Sequence, residues 1–157
     1  MTSQTQTDYF LILAQLAAVT EPQPDTIANL SNASAVLSMN LARINWAGFY
    51  LVRQEELVLG PFQGRPACVR IPFGRGVCGT AAASKTTQLV PDVHAFPGHI
   101  PCDGASNSEI VVPIFQGKKL VAVLDIDSPE YDRFDVSDKE GLEKCAALLG
   151  NACSWIL

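Results

Sequence analysis

The sequence has 157 residues, of which 48% are hydrophobic and 17% are charged, and its formal net charge is −5. A chain of this length buries about two thirds of its unfolded surface in a single core, so one compact domain over residues 1–157 is expected. The apolar content excludes a disordered chain. The acidic balance argues against a nucleic-acid partner, because the basic side chains that would neutralise phosphates are scattered along the sequence.

The N-terminal segment shows no targeting or membrane signal. Residues 1–10 lack a basic stretch, and the apolar run 10–19 is too short to span a bilayer. The five cysteines are an odd number, which fits a closed set of structural disulfides poorly and favours a reducing compartment. The sequence therefore predicts a cytoplasmic protein with no membrane partner.

Two helices are predicted before the first strand. The apolar segment 9–18 ends at a proline-rich stretch, so residues 1–24 form an N-terminal helical segment. A second helix begins with Asp25 as its N-cap. The stripe by which this helix packs on a sheet consists of Ile27, Leu30, Leu37 and Leu41, with Ser34 among them.

Short runs rich in aromatic and β-branched residues follow and predict antiparallel strands. They cover residues 46–52, 57–59, 68–73, 88–90, 109–115 and 120–127. A small-residue stretch at 77–84 predicts a short, closely packed helix, and a capping box of Ser137 and Glu140 predicts the start of the last helix. The expected fold class is α+β: a central antiparallel β-sheet with the N- and C-terminal helices packed on one face and a long loop on the other.

That long loop, residues 91–107, is rich in proline and glycine and has neither helical nor strand periodicity. A structureless connection of this length inside a compact domain is typical of a lid or a binding loop. It contains both histidines, His94 and His99, together with Cys102. We therefore expect it to be the functional loop.

The cysteines divide into two groups. Cys145 and Cys153 share an apolar helical face with Leu142, Ala146 and Leu149, where a cysteine acts as a small hydrophobic residue. The other three are expected in different settings: Cys68 in a strand, Cys78 at the start of a helix and Cys102 in the loop.

Two chemistries are open to this second group. A zinc site with His94, His99 and Cys102 is disfavoured, because no CxxC or HxxxH pair is present, and we expect no metal and no other cofactor. Thiol redox chemistry requires an exposed thiolate, as expected for Cys102, and a second thiol that reaches it. Cys68 or Cys78 would then resolve a sulfenic acid by forming a disulfide.

Carboxylates and aromatic residues add to this candidate site. Asp125 and Asp127 alternate with apolar residues and point to the same face of one strand, and Glu109 opens a strand that is expected to be adjacent. Like charges this close raise at least one pKa, which favours a proton donor near neutral pH over a merely solvated strand end. Trp46 and Tyr50 also share a face, either as the wall of an apolar pocket or as ordinary core.

Four segments of the sequence resemble the free methionine-R-sulfoxide reductases, which are built on a GAF domain. The segments are NWAGFY at 45–50, ACVRIPFGRGVCGTAAAS at 67–84, VPDVHAFPGHIPCDGASNSEIVVPI at 90–114 and LVAVLDIDSP at 120–129. The resemblance implies that Cys102 is the nucleophile, Cys68 the resolving cysteine and Cys78 an auxiliary thiol. The substrate-binding residues that it implies are Glu109, Asp125, Asp127, Trp46 and Tyr50.

The resemblance also implies a reaction and its partners. Thiolate attack on the sulfur of free methionine-R-sulfoxide would release methionine and leave a sulfenic acid, which would become an intramolecular disulfide recycled by thioredoxin. Small GAF domains often pair through their terminal helices, so the resemblance adds a second copy of the chain, in a homodimer, as a candidate partner, while the sequence leaves the oligomeric state open. The alternative from another class is a non-catalytic GAF module that senses a small ligand or the redox state.

Overall fold

The computed structural model describes residues 6–99 and 104–157. The helices are α1 (Tyr9–Thr20), α2 (Thr26–Asn40), α3 (Gly76–Ser84) and α4 (Val136–Ala152). The strands are β1 (Trp46–Arg53), β2 (Glu56–Gly64), β3 (Arg70–Pro72), β4 (Gln88–Val90), β5 (Ser108–Gln116) and β6 (Lys119–Ser128). No helix within these described stretches has the length and apolar character needed to cross a membrane.

The strands form one sheet of six in the order β3-β2-β1-β6-β5-β4, and every neighbouring pair is antiparallel. Strands β1 and β6 lie at the centre of this sheet. A tight turn at Gly117, whose φ is +61°, joins β5 to β6. The predicted antiparallel sheet is therefore confirmed, and its centre is built from strands that are distant in sequence.

Helices α1, α2 and α4 cover one face of the sheet, as the sequence predicts. The core between them is apolar and includes Leu16, Leu30, Leu37, Phe49, Ile110, Leu124, Leu142 and Leu149, each with an exposed fraction of 0%. At about 25 cal/mol per Å² of apolar surface removed from water, burial of each such side chain favours folding by about 2 kcal/mol. Cys145 and Cys153 belong to this core, as expected.

The predicted stripe of α2 is wrong at its first position. Ile27 is 47% exposed, whereas Thr26 and Asn29 are buried in the same turn. The Thr26 hydroxyl accepts a hydrogen bond from the amide of Trp155, and Asn29 Nδ2 donates one to the carbonyl of Gln23. These polar contacts orient the first turn of α2 so that Thr26 and Asn29 point inward and Ile27 faces outward.

Of the two helix caps that the sequence predicts, one is confirmed and one is wrong. Asp25 caps α2 as predicted, accepting from the amide of Ala28 at 2.9 Å. The capping box of α4 is formed by Asp135 and Asp138, so the prediction of Ser137 and Glu140 is wrong. Asp138 also accepts from buried Arg133, and this ion pair fixes the helix start two residues earlier.

Helix α3 lies on the opposite face of the sheet, next to β3, β4, β5 and β6. Its approach is close: a Cβ on Gly79 would lie 2.6 Å from the carbonyl oxygen of Pro72. The predicted strand at 68–73 is shorter than expected, because only Arg70–Pro72 pair with β2. Cys68 therefore lies in the segment before β3, and its expected position in a strand is wrong.

Candidate active site

A cavity of about 40 Å³ opens on the face of the sheet that carries α3. It is lined by six of the residues that the sequence singled out: Trp46, Tyr50, Cys78, Glu109, Asp125 and Asp127. The sequence did not assign eight further lining residues to this pocket: Pro66, Ala67, Ile71, Arg75, Gly76, Val77, His99 and Ser106. The pocket thus combines carboxyl groups, a thiol and aromatic rings.

The register of the sheet brings the three carboxyl groups together. Asp127 lies between its partners Trp46 on β1 and Glu109 on β5. Asp125 is two residues before Asp127 on β6 and lies opposite Gly48 on β1. Because side chains two apart on a strand share a face, the acids of β5 and β6 meet beside the aromatic residues of β1.

Burial makes this acidic group hold a proton. The exposed fractions of Glu109 and Asp125 are 7% and 5%. Burial first, and then the charges of Asp125 and Asp127, raise the pKa of Glu109 well above its usual range. Burial also raises the pKa of Asp125, but hydrogen bonding from Glu109 and Cys78 opposes this rise. Burial and the neighbouring carboxylates therefore favour the protonated form of Glu109.

The aromatic wall is a stack of rings with anchored polar ends. The ring centroid of Trp46 lies 5.1 Å from that of Phe62 and 6.0 Å from that of Tyr50. Trp46 Nε1 donates to the carbonyl of Arg65, and the Tyr50 hydroxyl donates to the carbonyl of Cys68 at 2.9 Å. Burial and the nearby carboxylates raise the pKa of Tyr50, so this hydroxyl stays a donor. The wall therefore holds the segment that carries Cys68 against the pocket.

The three cysteines of interest differ in their surroundings. Cys68 is half-buried and disulfide-bonded. Cys78 is a free thiol, 5% exposed, and burial raises its pKa, as do the charges of Asp125 and Glu109. These effects outweigh the thiolate-stabilising dipole expected at the start of α3. Cys102 lies outside the described residues.

The described parts of the segment 91–107 approach the pocket at its two ends. The backbone carbonyl of Asn107 accepts a hydrogen bond from the amide of Val93, and Asn107 Nδ2 donates one to the carbonyl of Pro129. His99 lines the pocket, and burial and the neighbouring His94 lower its pKa. The sequence pointed to His99 only as a metal ligand, so its place beside the carboxyl groups was missed.

Among residues 6–99 and 104–157, one group has the spacing of a metal site: ligand atoms of Cys78, Glu109 and Asp125 lie within 4.8 Å of one another. This is a different set from the histidine-rich one that the sequence offered. Burial and the neighbouring carboxyl groups raise the pKa of Cys78 and of Glu109, so a cation would have to displace protons from this group in order to bind.

The fold and the pocket define a GAF domain, and the model of the GAF domain family matches residues 6–153. The free methionine-R-sulfoxide reductase of Escherichia coli (strain K12) is 56% identical over 123 residues, which cover 78% of this chain and 74% of that protein. The enzyme of the same name from Saccharomyces cerevisiae is 50% identical over 150 residues, covering 90% and 83%. The chain belongs to the family of free methionine-R-sulfoxide reductases.

A solved structure agrees with this assignment. The fRMsr of Staphylococcus aureus in complex with substrate superposes with a TM-score of 0.92 and 54% identity, covering 98% of this chain and 100% of that one. The likeness extends over the whole domain, so the pocket described here belongs to the shared part of the fold.

Proposed function

We propose that this protein reduces free L-methionine-R-sulfoxide to L-methionine, with Cys102 as nucleophile, Cys68 as resolving cysteine and thioredoxin as reductant. The observation that carries the proposal is the buried carboxyl group of Glu109, which lies with Asp125 and Asp127 in a pocket that has an aromatic wall and borders the segment of Cys68. Its burial raises its pKa and so favours the protonated form. The relatives from Escherichia coli and Saccharomyces cerevisiae, which are 56% and 50% identical to this chain, are named for this activity.

The carboxyl group of Glu109 supplies the acid that reduction of a sulfoxide requires. A sulfoxide sulfur is a weak electrophile until its oxygen is protonated or strongly hydrogen-bonded. Glu109 donates its proton to that oxygen while the Cys102 thiolate attacks the sulfur. The sulfur–sulfur bond formed by this attack and the sulfur–oxygen bond of the substrate then break as the oxygen is transferred to the sulfur of Cys102. This leaves a sulfenic acid on Cys102 and releases methionine as the reduced product.

The resolving step depends on the segment that Tyr50 anchors. The Cys68 thiol attacks the sulfenic sulfur, water leaves, and a disulfide joins the two cysteines. The participation of Cys68 in a disulfide supports this role. A thioredoxin-type dithiol in the cytoplasm then reduces this disulfide by thiol–disulfide exchange, which returns both cysteines to the thiol state.

The pocket also suits a free amino acid. Asp125 and Asp127 offer carboxylate oxygens to an α-ammonium group, and the rings of Trp46 and Tyr50 offer an apolar surface to the methyl group and side-chain carbons. Residues 91–107 act as the active-site loop that encloses the substrate, which excludes a polypeptide. Pairing of two copies through the terminal helices stays a prediction of the sequence.

A single-turnover experiment tests this function. The fully reduced protein is mixed, without external reductant, with each epimer of free methionine sulfoxide, and methionine and remaining thiols are quantified by mass spectrometry. We expect about one methionine per chain, from the R epimer alone, together with a disulfide between Cys68 and Cys102. Intact thiols and unconsumed but bound ligand would instead identify a sensor module and overturn the proposal.

Variants of single cysteines assign the roles. We expect Cys102→Ser to release no methionine, whereas Cys68→Ser releases methionine once and accumulates a sulfenic acid. Cys153→Ser is the matched control, because this thiol lies in the core on the other face of the sheet. Multiple turnover by Cys68→Ser at the wild-type rate would exclude the resolving role.

A further inference from the structure

Cys78 is a buried thiol in the pocket that the two-cysteine reaction does not use. Its Sγ and one carboxyl oxygen each of Glu109 and Asp125 lie within 4.8 Å of one another, and all three side chains are buried. Resting on the proposed function, we propose that Cys78 is a positioning residue: its thiol donates a hydrogen bond to Asp125 and so leaves the shared proton of the acidic group on Glu109.

The adjacent carboxyl groups of Glu109 and Asp125 compete for a proton. Two carboxylates this close and this buried do not both ionise, so the group retains a proton whose location the surroundings decide. A donor beside one carboxylate stabilises the charge there and leaves the proton on the other carboxyl group. Cys78 is placed to be such a donor, because its Sγ lies within 4.8 Å of a carboxyl oxygen of Asp125, and a hydrogen bond between them lowers the pKa of that carboxyl group.

Asp125 has room for such a donor. Its Oδ1 is buried and has no hydrogen-bond partner among the described residues. An unsatisfied buried carboxylate oxygen is costly, so each donor around Asp125 has a large effect on its ionisation. Cys78 comes from α3, whose close approach to β3 at Gly79 fixes the thiol over β6.

The other groups that face the pair do not replace this donor. They are Glu109 from β5, Asp127 from β6, Tyr50 from β1, Arg75 before α3 and His99 from the segment 91–99. The Tyr50 hydroxyl is engaged with the carbonyl of Cys68, and Arg75 is exposed to solvent. Asp127 adds a further negative charge, which raises the pKa of Glu109 and so favours its protonated form.

The same surroundings make Cys78 unsuited to a redox role. A resolving thiol attacks as the thiolate, and burial together with two neighbouring carboxyl groups raises the pKa of Cys78. A positioning role therefore replaces the auxiliary redox role that the resemblance implied for Cys78. The two roles predict different behaviour of serine and alanine at this position.

Infrared titration of the reduced protein without substrate tests the proposal. The carbonyl stretch of a buried protonated carboxyl group is followed from acidic to alkaline pH, and Glu109→Gln and Asp125→Asn assign the bands. In the wild type we expect the band near neutral pH to disappear in Glu109→Gln and to persist in Asp125→Asn. In Cys78→Ala we expect the protonation midpoint of Asp125 to rise by about half a pH unit, as loss of one weak hydrogen bond implies.

Two further variants make the result decisive. Cys78→Ser retains a donor, so we expect a midpoint at or below that of the wild type, and this variant alone suffices if Cys78→Ala does not fold. Cys145→Ala removes a buried thiol from the core on the other face and should leave the midpoint unchanged. An unchanged midpoint in Cys78→Ala, or a raised one in Cys78→Ser, overturns the proposal. Because no substrate is present, this outcome is independent of methionine release by the wild type.

Discussion

At the residue scale, the buried carboxyl group of Glu109 has opposite effects on activity and on stability. Its pKa is raised in the folded protein, so its contribution to stability is fully present below the unfolded pKa of about 4.3 and is lost as the pH rises towards the folded pKa. We therefore expect Glu109→Gln to raise Tm in mildly alkaline buffer but not in acid, and to lower methionine formation by about 10²-fold or more.

Thermal unfolding of both proteins across the pH range, together with single-turnover methionine release, measures these two effects. The exposed Glu140 provides the control: Glu140→Gln should change neither the shape of the Tm profile nor the rate. Tm profiles of Glu109→Gln and wild type that run parallel would show that this carboxyl group ionises normally in the folded state.

A second prediction at this scale concerns the hydroxyl of Tyr50. It donates to the carbonyl of Cys68 at 2.9 Å and is the anchor of the segment before β3. Tyr50→Phe keeps the ring but removes a hydrogen bond of about 1 kcal/mol, which corresponds to about a fivefold slower disulfide formation after methionine release. Quenched-flow measurement of thiol loss gives the rate. Tyr131→Phe, at a 59% exposed position, is the control and should match the wild type.

At the element scale, the sequence predicted what depends on local pattern and failed where distant contacts decide. Alternation of Asp125 and Asp127 with apolar residues was enough to place both acids on one face of β6. The start of α4 was misplaced because Asp138 was not recognised as part of its capping box: besides the local contact with Arg133, it accepts a hydrogen bond from Tyr9, which lies at the other end of the fold's sequence. Likewise, His99 reaches the pocket only through the folding of its loop, which leaves no periodic signal.

The position of α3 gives a prediction at the same scale. A Cβ on Gly79 would lie 2.6 Å from the carbonyl oxygen of Pro72, and backbone on both sides leaves no flexible atom to move. Gly79→Ala should therefore push α3 away from β3, cost about 1 to 3 kcal/mol of unfolding free energy and weaken substrate binding by displacing Val77 and Cys78.

Denaturant unfolding and equilibrium binding of substrate to the Cys102→Ser protein measure the two consequences. Gly104→Ala is the matched control for stability, since a Cβ there meets nothing within 4 Å. A Gly79→Ala protein with wild-type stability and affinity would show that α3 tolerates displacement and that the pocket does not depend on its close approach.

At the scale of the whole molecule, the sheet separates a structural face from a chemical one. The face covered by α1, α2 and α4 carries an apolar core, and a buried polar network at its edge links α1 to the start of α4. In this network the Tyr9 hydroxyl donates to Asp138 Oδ1 at 2.7 Å, and Arg133 Nη1 lies 3.3 Å from Asp138 Oδ2. The ring of Tyr9 lies over Gly141 of α4.

This separation predicts that stability and activity respond independently to changes in the network. Tyr9→Phe keeps the ring over Gly141 but removes a hydrogen bond to a buried carboxylate, which costs about 1.5 to 3 kcal/mol and lowers Tm by several degrees for a chain of this size. The rate of single-turnover methionine release should stay at the wild-type value, because the network and the pocket lie on opposite faces of the sheet. Parallel measurements of Tm and of the burst rate test both statements, with Tyr131→Phe as control. A burst rate that fell together with Tm would mean that docking of α1 on α4 shapes the pocket through the sheet, since the helices themselves do not line it.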